Sequence, residues 1–399
     1  HDATRDPLWS RGLGDVYKRQ LYIYGERLSL SHPRERERLC LSLSLSLSQA
    51  VSYPHQTSNN ADAIPNQKQN SKTVLISHFG RPKAGVIDSK FSLLPVAKRL
   101  GEILNKEIPL FTSIDEVNFH EDISVIENIR FLPGELINDL DLSSTLCNLA
   151  DVYIFDAFGT SHRPHASTYG AIQAAKKSCA GFLLEDETYA LKKAIDSHES
   201  PTLSIVGGSK VSSKLEVIKS LLQISDEVLT GGGITNTFLK AQGNNIGTSL
   251  CEDSMLSHAK ELLETEKILL PNEVVVSKSM DSNNSRICNI DSIQDDEMIL
   301  DQMLSPKSAE KISAAKKIIW NGPVGVFEKE PFSRGTQDIA NAIASSKAYS
   351  LAGGGETLLA IKMFIDKNKI SYCSTGGGAF LEFMEGKELP SLSALGFKF

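Results

Sequence analysis

An α/β fold, with parallel sheets covered by helices and divided into two domains, is what this sequence predicts, and three observations carry the prediction. At 399 residues, 41% of them hydrophobic, the chain is long enough for two cores of ordinary size. From Lys72 onward, short apolar runs ending in glycine or a polar residue alternate with amphipathic stretches. Between two strand-rich halves lies a charged segment, EDETYALKKAIDSHES (185–200), which reads as a polar linker helix with no apolar stripe confined to one side.

Residues 1–70 differ in composition from the rest. They hold seven arginines (5, 11, 19, 27, 34, 36, 38), whereas the remaining 329 residues hold six, and they include the biased run LCLSLSLSLSQ. A basic stretch before that run imitates a secretory signal, but the run alternates Ser with Leu and starts far from the terminus. Residues 1–55 are therefore expected to be foreign to the fold and disordered. The strands that follow are TVLISH (73–78), DVYIF (151–155), TLSIVGG (202–208), DEVLTGGG (226–233), KIIWNGP (317–323), AYSLAGGG (348–355) and ISYCSTGGG (370–378). Helices are expected in SLLPVAKRLGEILN, TNTFLKAQG, GTQDIANAIA and TLLAIKMFID. Ligands of such a fold sit at the carboxyl ends of the strands.

A net charge of −7 argues against a nucleic-acid or membrane-surface partner, since either needs a positive face, so any anion site must be local. Six cysteines at 40, 147, 179, 251, 288 and 373 show no CxxC or metal-ligand spacing and fit a reduced, cytoplasmic setting. No run approaches eighteen apolar residues.

Four strand ends carry glycine clusters: Gly207-Gly208, Gly231-Gly232-Gly233, Gly353-Gly354-Gly355 and Gly376-Gly377-Gly378. One such turn is equally the mark of a tight βα connection, but four in one half point to a nucleotide cradle, with amide N–H groups brought close to an anion. Neither GxxxxGK[ST] nor GxGxxG with its distant acid is present, which excludes a nicotinamide dehydrogenase of the usual kind. In VGGSKVSSK, Lys210 and Lys214 would share one face of a first helical turn if the helix starts at Ser209. Lysine there opposes the helix dipole and calls for an anion, the plain alternative being two solvated surface lysines.

After residue 70 the positive charge is nearly all lysine, yet Arg81 (SHFGRP), Arg130 (ENIRF) and Arg163 (SHRPH) each stand just past an apolar run. A guanidinium grips carboxylate or phosphate in two places. His78, His162 and His165 would join them at one sheet edge. The alternative for any single residue is a carbonyl cap or a pair with a nearby acid such as Glu127.

Together SHFGRP, ENIRF, DAFGTSHRPHAST, VGGSKVSSK, GGGITNTFLKAQG, WNGPVGVFE, GGGET and STGGGAFLEFMEGKELP resemble phosphoglycerate kinase of the bacterial type, in order from about Lys72 to Phe399. The resemblance implies two doubly wound, Rossmann-like domains facing a cleft. One spans 56–184 plus about 386–399 and takes 3-phosphoglycerate; residues 185–200 are the interdomain helix; 201–385 take Mg-ADP or Mg-ATP. It implies reversible phosphoryl transfer from 1,3-bisphosphoglycerate to ADP, a glycolytic step, by a cytoplasmic monomer with Mg²⁺ as cofactor and no nucleic-acid or membrane partner. By the same resemblance His78, Arg81, Arg130, His162, Arg163 and His165 bind the triose phosphate. Lys210 meets the transferred phosphoryl group, with Gly354 and Gly355 supplying helix N–H groups beside it, and Lys214 meets the α-phosphate. Gly207, Gly208, Gly231 and Gly232 frame the adenine slot, Asn321 lies near the phosphates, Glu328 takes the ribose, and Thr357 helps receive the β- and γ-phosphates. Glu356 stands where the family has a metal-contacting Asp. In-line transfer needs alignment and charge neutralisation and no general base.

Three departures stand out. The family's first strand, RVDFNVP-like, is absent, and the arginine expected after it falls near Asn59; ADAIPN (61–66) resembles a remnant of the following helix, and LYIYGERL (21–28) is a candidate to fill the missing strand. Glu356 replaces Asp. SPKSAEKI (305–312) stands where the family has a glycine in a DIG-like turn near the nucleotide. The chain as written is expected to be impaired in turnover, the competing reading being a non-catalytic nucleotide-binding member of the family.

Overall fold

The computed structural model describes residues 48–51, 72–196, 199–282 and 284–398. LYIYGERL, the position near Asn59 and ADAIPN all lie outside them. The chain divides into two compact units, one reaching to Glu187 and taking in the residues from Glu388 on, the other running from Thr188 to Lys387.

In the first unit, β1 (Ser48–Val51), β2 (Thr73–Ile76), β3 (Leu110–Phe111), β4 (Ile123–Ile126), β5 (Val152–Phe155) and β6 (Ser178–Ala180) form a six-stranded sheet in the order β3-β4-β2-β1-β5-β6. Strand β2 is parallel to β4, β3 to β4 and β5 to β6. The exception is β1, antiparallel to β2 (Ser48 opposite Ile76) and to β5 (Ser48 opposite Phe155). The gap expected for want of a first strand is therefore occupied, by four residues from the stretch expected to lie outside the fold. The facing ladder groups of β2 and β5 need partners, and an antiparallel strand supplies them as well as a parallel one.

Helix α1 (Leu94–Leu104) buries Ala97 and Leu100, with Leu93 ahead of it, against Leu75 of β2 and Val125 of β4. Its start is fixed by Glu127, whose carboxylate accepts from Leu93 N (2.7 Å) and Ser92 Oγ (2.6 Å). Helix α2 (Leu140–Cys147) is capped by Asp139, which accepts from Leu142 N. Helix α3 (Phe182–Asp196) corresponds to the expected linker, but it does carry a stripe: Leu184, Thr188, Leu191 and Ala194 are buried at helical spacing. Its charged residues hid that pattern.

In the second unit, β7 (Thr202–Gly207), β8 (Glu227–Gly231), β9 (Ile268–Leu269), β13 (Lys317–Asn321), β14 (Tyr349–Ala352) and β15 (Tyr372–Cys373) form a sheet in the order β15-β14-β13-β7-β8-β9, parallel throughout. The winding reverses between β7 and β13. That switch point is where doubly wound sheets open a crevice beyond their strand ends. Ile205, Leu229, Ile318, Trp320 and Ala352 anchor the sheet in a core completed by Ile339, Ile343, Ala360 and Ile361. Helices α4 (Leu215–Ile224), α5 (Gly233–Ala241), α6 (Arg334–Ser345), α7 (Gly355–Phe364) and α8 (Gly377–Met384) return the chain between strands or follow the last one. A separate antiparallel sheet of β10 (Glu273–Ser277), β11 (Arg286–Asn289) and β12 (Met298–Gln302) has no counterpart in the sequence expectation. SPKSAEKI forms the start of a helix, Pro306–Ala314, capped by Ser305 Oγ accepting from Ser308 N. Among the described residues no helix is long and apolar enough to cross a membrane.

Candidate functional site

The first unit gathers its basic residues beyond the carboxyl ends of β2, β4 and β5. His78 and Arg81 follow β2, Arg130 lies in the 3-10 turn Ile129–Phe131 after β4, and His162, Arg163 and His165 follow β5. The loops are tied to one another. Asn128 Nδ2 donates to Phe79 O (2.7 Å) and Phe91 O (2.9 Å), Ile129 N to Ser77 O (3.0 Å), and Arg130 Nη1 to Gly80 O (2.6 Å). Past β5, His165 opens a π-helical turn, Ala166–Gly170.

Each of the six predicted residues lies within reach of at least one other, with Arg130 and Arg163 at the centre. Arg130 is buried and pushed down to about 10, by burial first and then by Arg163 and Arg81, with Glu135 opposing. Burial, then Arg130, Arg163 and His162, lowers His165 to about 4. His78 is held well below the usual imidazole range by burial, Arg130, Arg163 and His165. Arg163 Nε donates to His162 Nε2 at 3.2 Å. The two shifted imidazoles are thus neutral at pH 7 beside the Arg130 and Arg163 guanidinium groups, a cluster that an anion would relieve. Glu127, the suggested alternative partner, is occupied by Ser92, Leu93 and Asn128 and caps α1.

Two acids here escaped the sequence reading. Glu135 is 2% exposed and accepts from Ser167 N (3.0 Å) and Oγ (2.7 Å). Asp156, the first residue of DAFGTSHRPHAST, accepts from Leu184 N (2.8 Å) and is pushed up to about 7, chiefly by burial. Asp156 stood in a quoted motif but drew no separate reading, and Glu135 stood in none, because burial is what makes them unusual.

In the second unit Lys214, Asn321, Glu356 and Thr357 meet at the switch point. Asn321, ending β13, donates from Nδ2 to Gly353 O (2.8 Å) and accepts from Lys214 Nζ. Thr357 Oγ1 accepts from Gly322 N (2.8 Å) and donates to Gly353 O (2.8 Å). Lys214 is lowered to about 8 by burial, with Glu356 opposing. It is not in the first turn of a helix with Lys210: residues 212–214 form a turn and α4 begins at Leu215, with Lys214 at its N-cap. The hydroxyls of the serines explain this. Ser213 Oγ donates to Lys210 O, while Ser212 N and Oγ donate to Glu252 (2.8 and 2.6 Å), so local bonds hold the turn against the helix. Lys210 is exposed just ahead of that turn, within electrostatic reach of Glu252, and Glu328 is exposed after the buried Phe327.

The glycines separate into two kinds. A Cβ on Gly207 would stand 1.7 Å from Pro323 O, and one on Gly231 would stand 2.5 Å from Val324 Cα, so these two are small because the WNGPVG loop packs on them. At Gly355, the first residue of α7, a Cβ would meet nothing within 4 Å and φ is not positive. Neither space nor backbone demands glycine there, and as the first residue of a helix its N–H has no intrahelical acceptor. Among the described residues no group of three or more His, Cys, Asp or Glu could hold a metal ion. A cation here would rest on one carboxylate and the ligand's own oxygens, which suits Mg²⁺; exposed Glu356, beside Lys214, fits that part.

A family model described as phosphoglycerate kinase matches residues 49–387. Among solved structures, that of phosphoglycerate kinase from Coxiella burnetii is 42% identical, with a TM-score of 0.76, covering 81% of this chain and 85% of that one. The phosphoglycerate kinase of Pyrococcus horikoshii OT3 is 30% identical, with a TM-score of 0.67 and coverage of 81% and 86%. The family match begins inside β1, so the segment related to the family reaches further back than the motifs from Lys72 onward indicate. By strand order, basic cluster, glycine turns and these matches together, the chain belongs to the phosphoglycerate kinase family.

Proposed function

We propose that the chain carries out the family's reversible phosphoryl transfer, from the acyl phosphate of 1,3-bisphosphoglycerate to ADP, in the cytoplasm and at reduced rate. The observation that carries this reading is the convergence of His78, Arg81, Arg130, His162, Arg163 and His165 beyond the carboxyl ends of β2, β4 and β5. Three guanidinium groups and neutral imidazoles suit a small ligand with a carboxylate at one end and a phosphate at the other. In the second unit, Lys214, Asn321, Thr357 and the N–H groups at Gly354 and Gly355 would hold the nucleotide phosphates, with Lys210 reaching the transferred group from its exposed turn. Gly207, Gly208, Gly231 and Gly232 would frame the adenine, and Glu328 would take the ribose hydroxyls. Mg²⁺, held by Glu356 and the phosphates, would supply neutralisation of the nucleotide's charge. No side chain need act as nucleophile or base; what the reaction requires is alignment of the acyl phosphate with the ADP oxygen, in a site free of water.

The reduced rate follows from the sequence between Arg38 and Arg81, which contains no arginine. Removing a transition-state guanidinium lowers a phosphoryl-transfer rate by about 10³ to 10⁵, or roughly 4 to 7 kcal/mol of barrier. That absence also favours the second reading, a nucleotide-binding protein without turnover. Calorimetric titration with ADP and with 3-phosphoglycerate, alongside a coupled assay, separates the two. Measurable binding of both with slow turnover, rising at least a hundredfold when a family-like first strand and its arginine are restored, supports the kinase. ADP binding alone, with no gain on restoration, supports the second reading.

A further inference from the structure

One carboxylate, Glu135, stands among these cations, and Coulomb's law alone makes it a liability in an anion site. Its placement explains its presence. The Glu135 carbonyl accepts from Ala166 N (2.9 Å), while its carboxylate accepts from Ser167 N (3.0 Å) and Ser167 Oγ (2.7 Å). Oε1 also lies 3.7 Å from His165 Nδ1. That separation lies in ion-pair range and is longer than a hydrogen bond, so a small movement of the ring closes it. His165 N donates to Arg163 O (3.0 Å), so the same anchor governs where Arg163 enters the cluster.

We propose that Glu135 is a positioning residue of the anion site: fastened to Ser167, it fixes the His165 ring through Nδ1 and leaves Nε2 to meet the bound anion. The inference rests on reading this cluster as the triose-phosphate site. The groups facing His165 are Arg130 from the turn after β4, His78 from the loop after β2, Arg163 and His162 from its own loop, and Glu135 itself. An anion at Nε2 offsets the guanidinium charges, so the ring takes up a proton on Nε2 while Glu135 holds the proton on Nδ1. A glutamine at position 135 reverses that polarity. Its amide keeps the bond to Ser167 only by placing its oxygen toward Ser167 N and its NH₂ toward Ser167 Oγ and His165 Nδ1. The ring then carries its proton on Nε2 and resists a second.

Sulfate, doubly charged across the pH range, is the probe. The parent chain should bind it more tightly as pH falls from 7.5 to 5.5. Glu135→Gln should bind it at least tenfold more weakly at pH 6 and with a flatter pH profile, while ADP affinity stays unchanged. Ser167→Ala, which keeps the carboxylate charge and removes one anchor, should lose a smaller factor and retain the slope; it serves if Glu135→Gln does not fold. Equal or tighter sulfate binding by Glu135→Gln, which removal of a negative charge alone predicts, overturns the proposal, as does an unaltered profile or full affinity in Ser167→Ala. A parent that binds sulfate with this profile but not 3-phosphoglycerate overturns the substrate reading and leaves Glu135 in place. A parent that binds neither overturns both.

Discussion

Arg130 Nη1 donates to the carbonyl of Gly80 at 2.6 Å, binding the turn after β4 to the loop after β2. Gly80 has φ of +63°, and a Cβ there would press into the Phe91 ring at 2.5 Å. A substitution at Gly80 therefore displaces the acceptor that aims Arg130.

Gly80→Ala should cost about 1–3 kcal/mol of stability, from left-handed backbone strain and the clash with Phe91. It should also weaken 3-phosphoglycerate or sulfate binding by tenfold or more. Urea unfolding and calorimetric titration measure the two effects. Full affinity at reduced stability would separate Gly80 from the aiming of Arg130.

The two kinds of glycine in the second unit predict opposite phenotypes. Gly355→Ala leaves the fold intact or gains a few tenths to about 1 kcal/mol, as alanine for glycine in a helix does. ADP affinity should fall at least tenfold, because a methyl stands where phosphate oxygens approach the N–H groups. Gly207→Ala, whose Cβ would overlap Pro323 O, should lower the melting temperature by several degrees. Thermal melts with and without ADP check both.

Acid should weaken the first unit through its imidazoles. His165, near 4 when folded and about 6.5 when unfolded, binds more protons in the unfolded chain between those values. Its share of stability is thus present above pH 6.5 and lost as pH falls toward 4, on the order of 2–3 kcal/mol in full. His78 acts in the same direction. His165→Gln should remove its part of the slope, and saturating sulfate should flatten the parent's. A slope unchanged by either would show that His165 stays protonated in the fold.

Asp301 works the other way. It is 1% exposed, accepts from Gly335 N (2.7 Å) at the start of α6, and is pushed up to about 7 by burial. Its folded value lies above the unfolded one, so its contribution is present in acid, is lost as pH rises from about 4 to about 7, and changes no further above that. Relative to the parent, Asp301→Asn should gain about 1.4 kcal/mol per pH unit between about 4 and 7 and level off above 7, read from chemical denaturation at pH 5, 6, 7 and 8. A constant difference between pH 5 and 7 would show that Asp301 is already ionised in the fold.

Lys214, near 8 through burial, should make ADP affinity fall as pH rises past 8, since the neutral amine no longer opposes phosphate charge. Lys214→Met should bind ADP roughly ten- to a hundredfold more weakly, as loss of a charge-assisted bond of about 1.5–3 kcal/mol implies, and without that dependence. An ADP titration between pH 7 and 9 tests this.

The strands bearing site residues and the residues of the basic cluster were legible in the sequence, because a buried parallel strand is a local apolar run and its ligand groups follow directly at its end. The opening run SQAV of β1 was not, since four residues without alternation carry no signal of their own and its antiparallel place comes only from the unpaired edges of β2 and β5. Strands β10, β11 and β12 were hidden for a related reason: an antiparallel sheet at the side of the unit lacks the glycine-to-helix punctuation that marked the others. Lys210 and Lys214 were placed on one helical face by spacing, and the serine bonds to Lys210 O and Glu252 undid it. The sequence by itself determined the fold class, the family resemblance and which basic side chains gather beyond the strand ends of the first unit, all properties of short contiguous segments. The tertiary structure alone decided the partners of Glu127, the burial of Glu135, Asp156 and Asp301, and the protonation of His78 and His165, because desolvation and charge are set by residues distant in the chain.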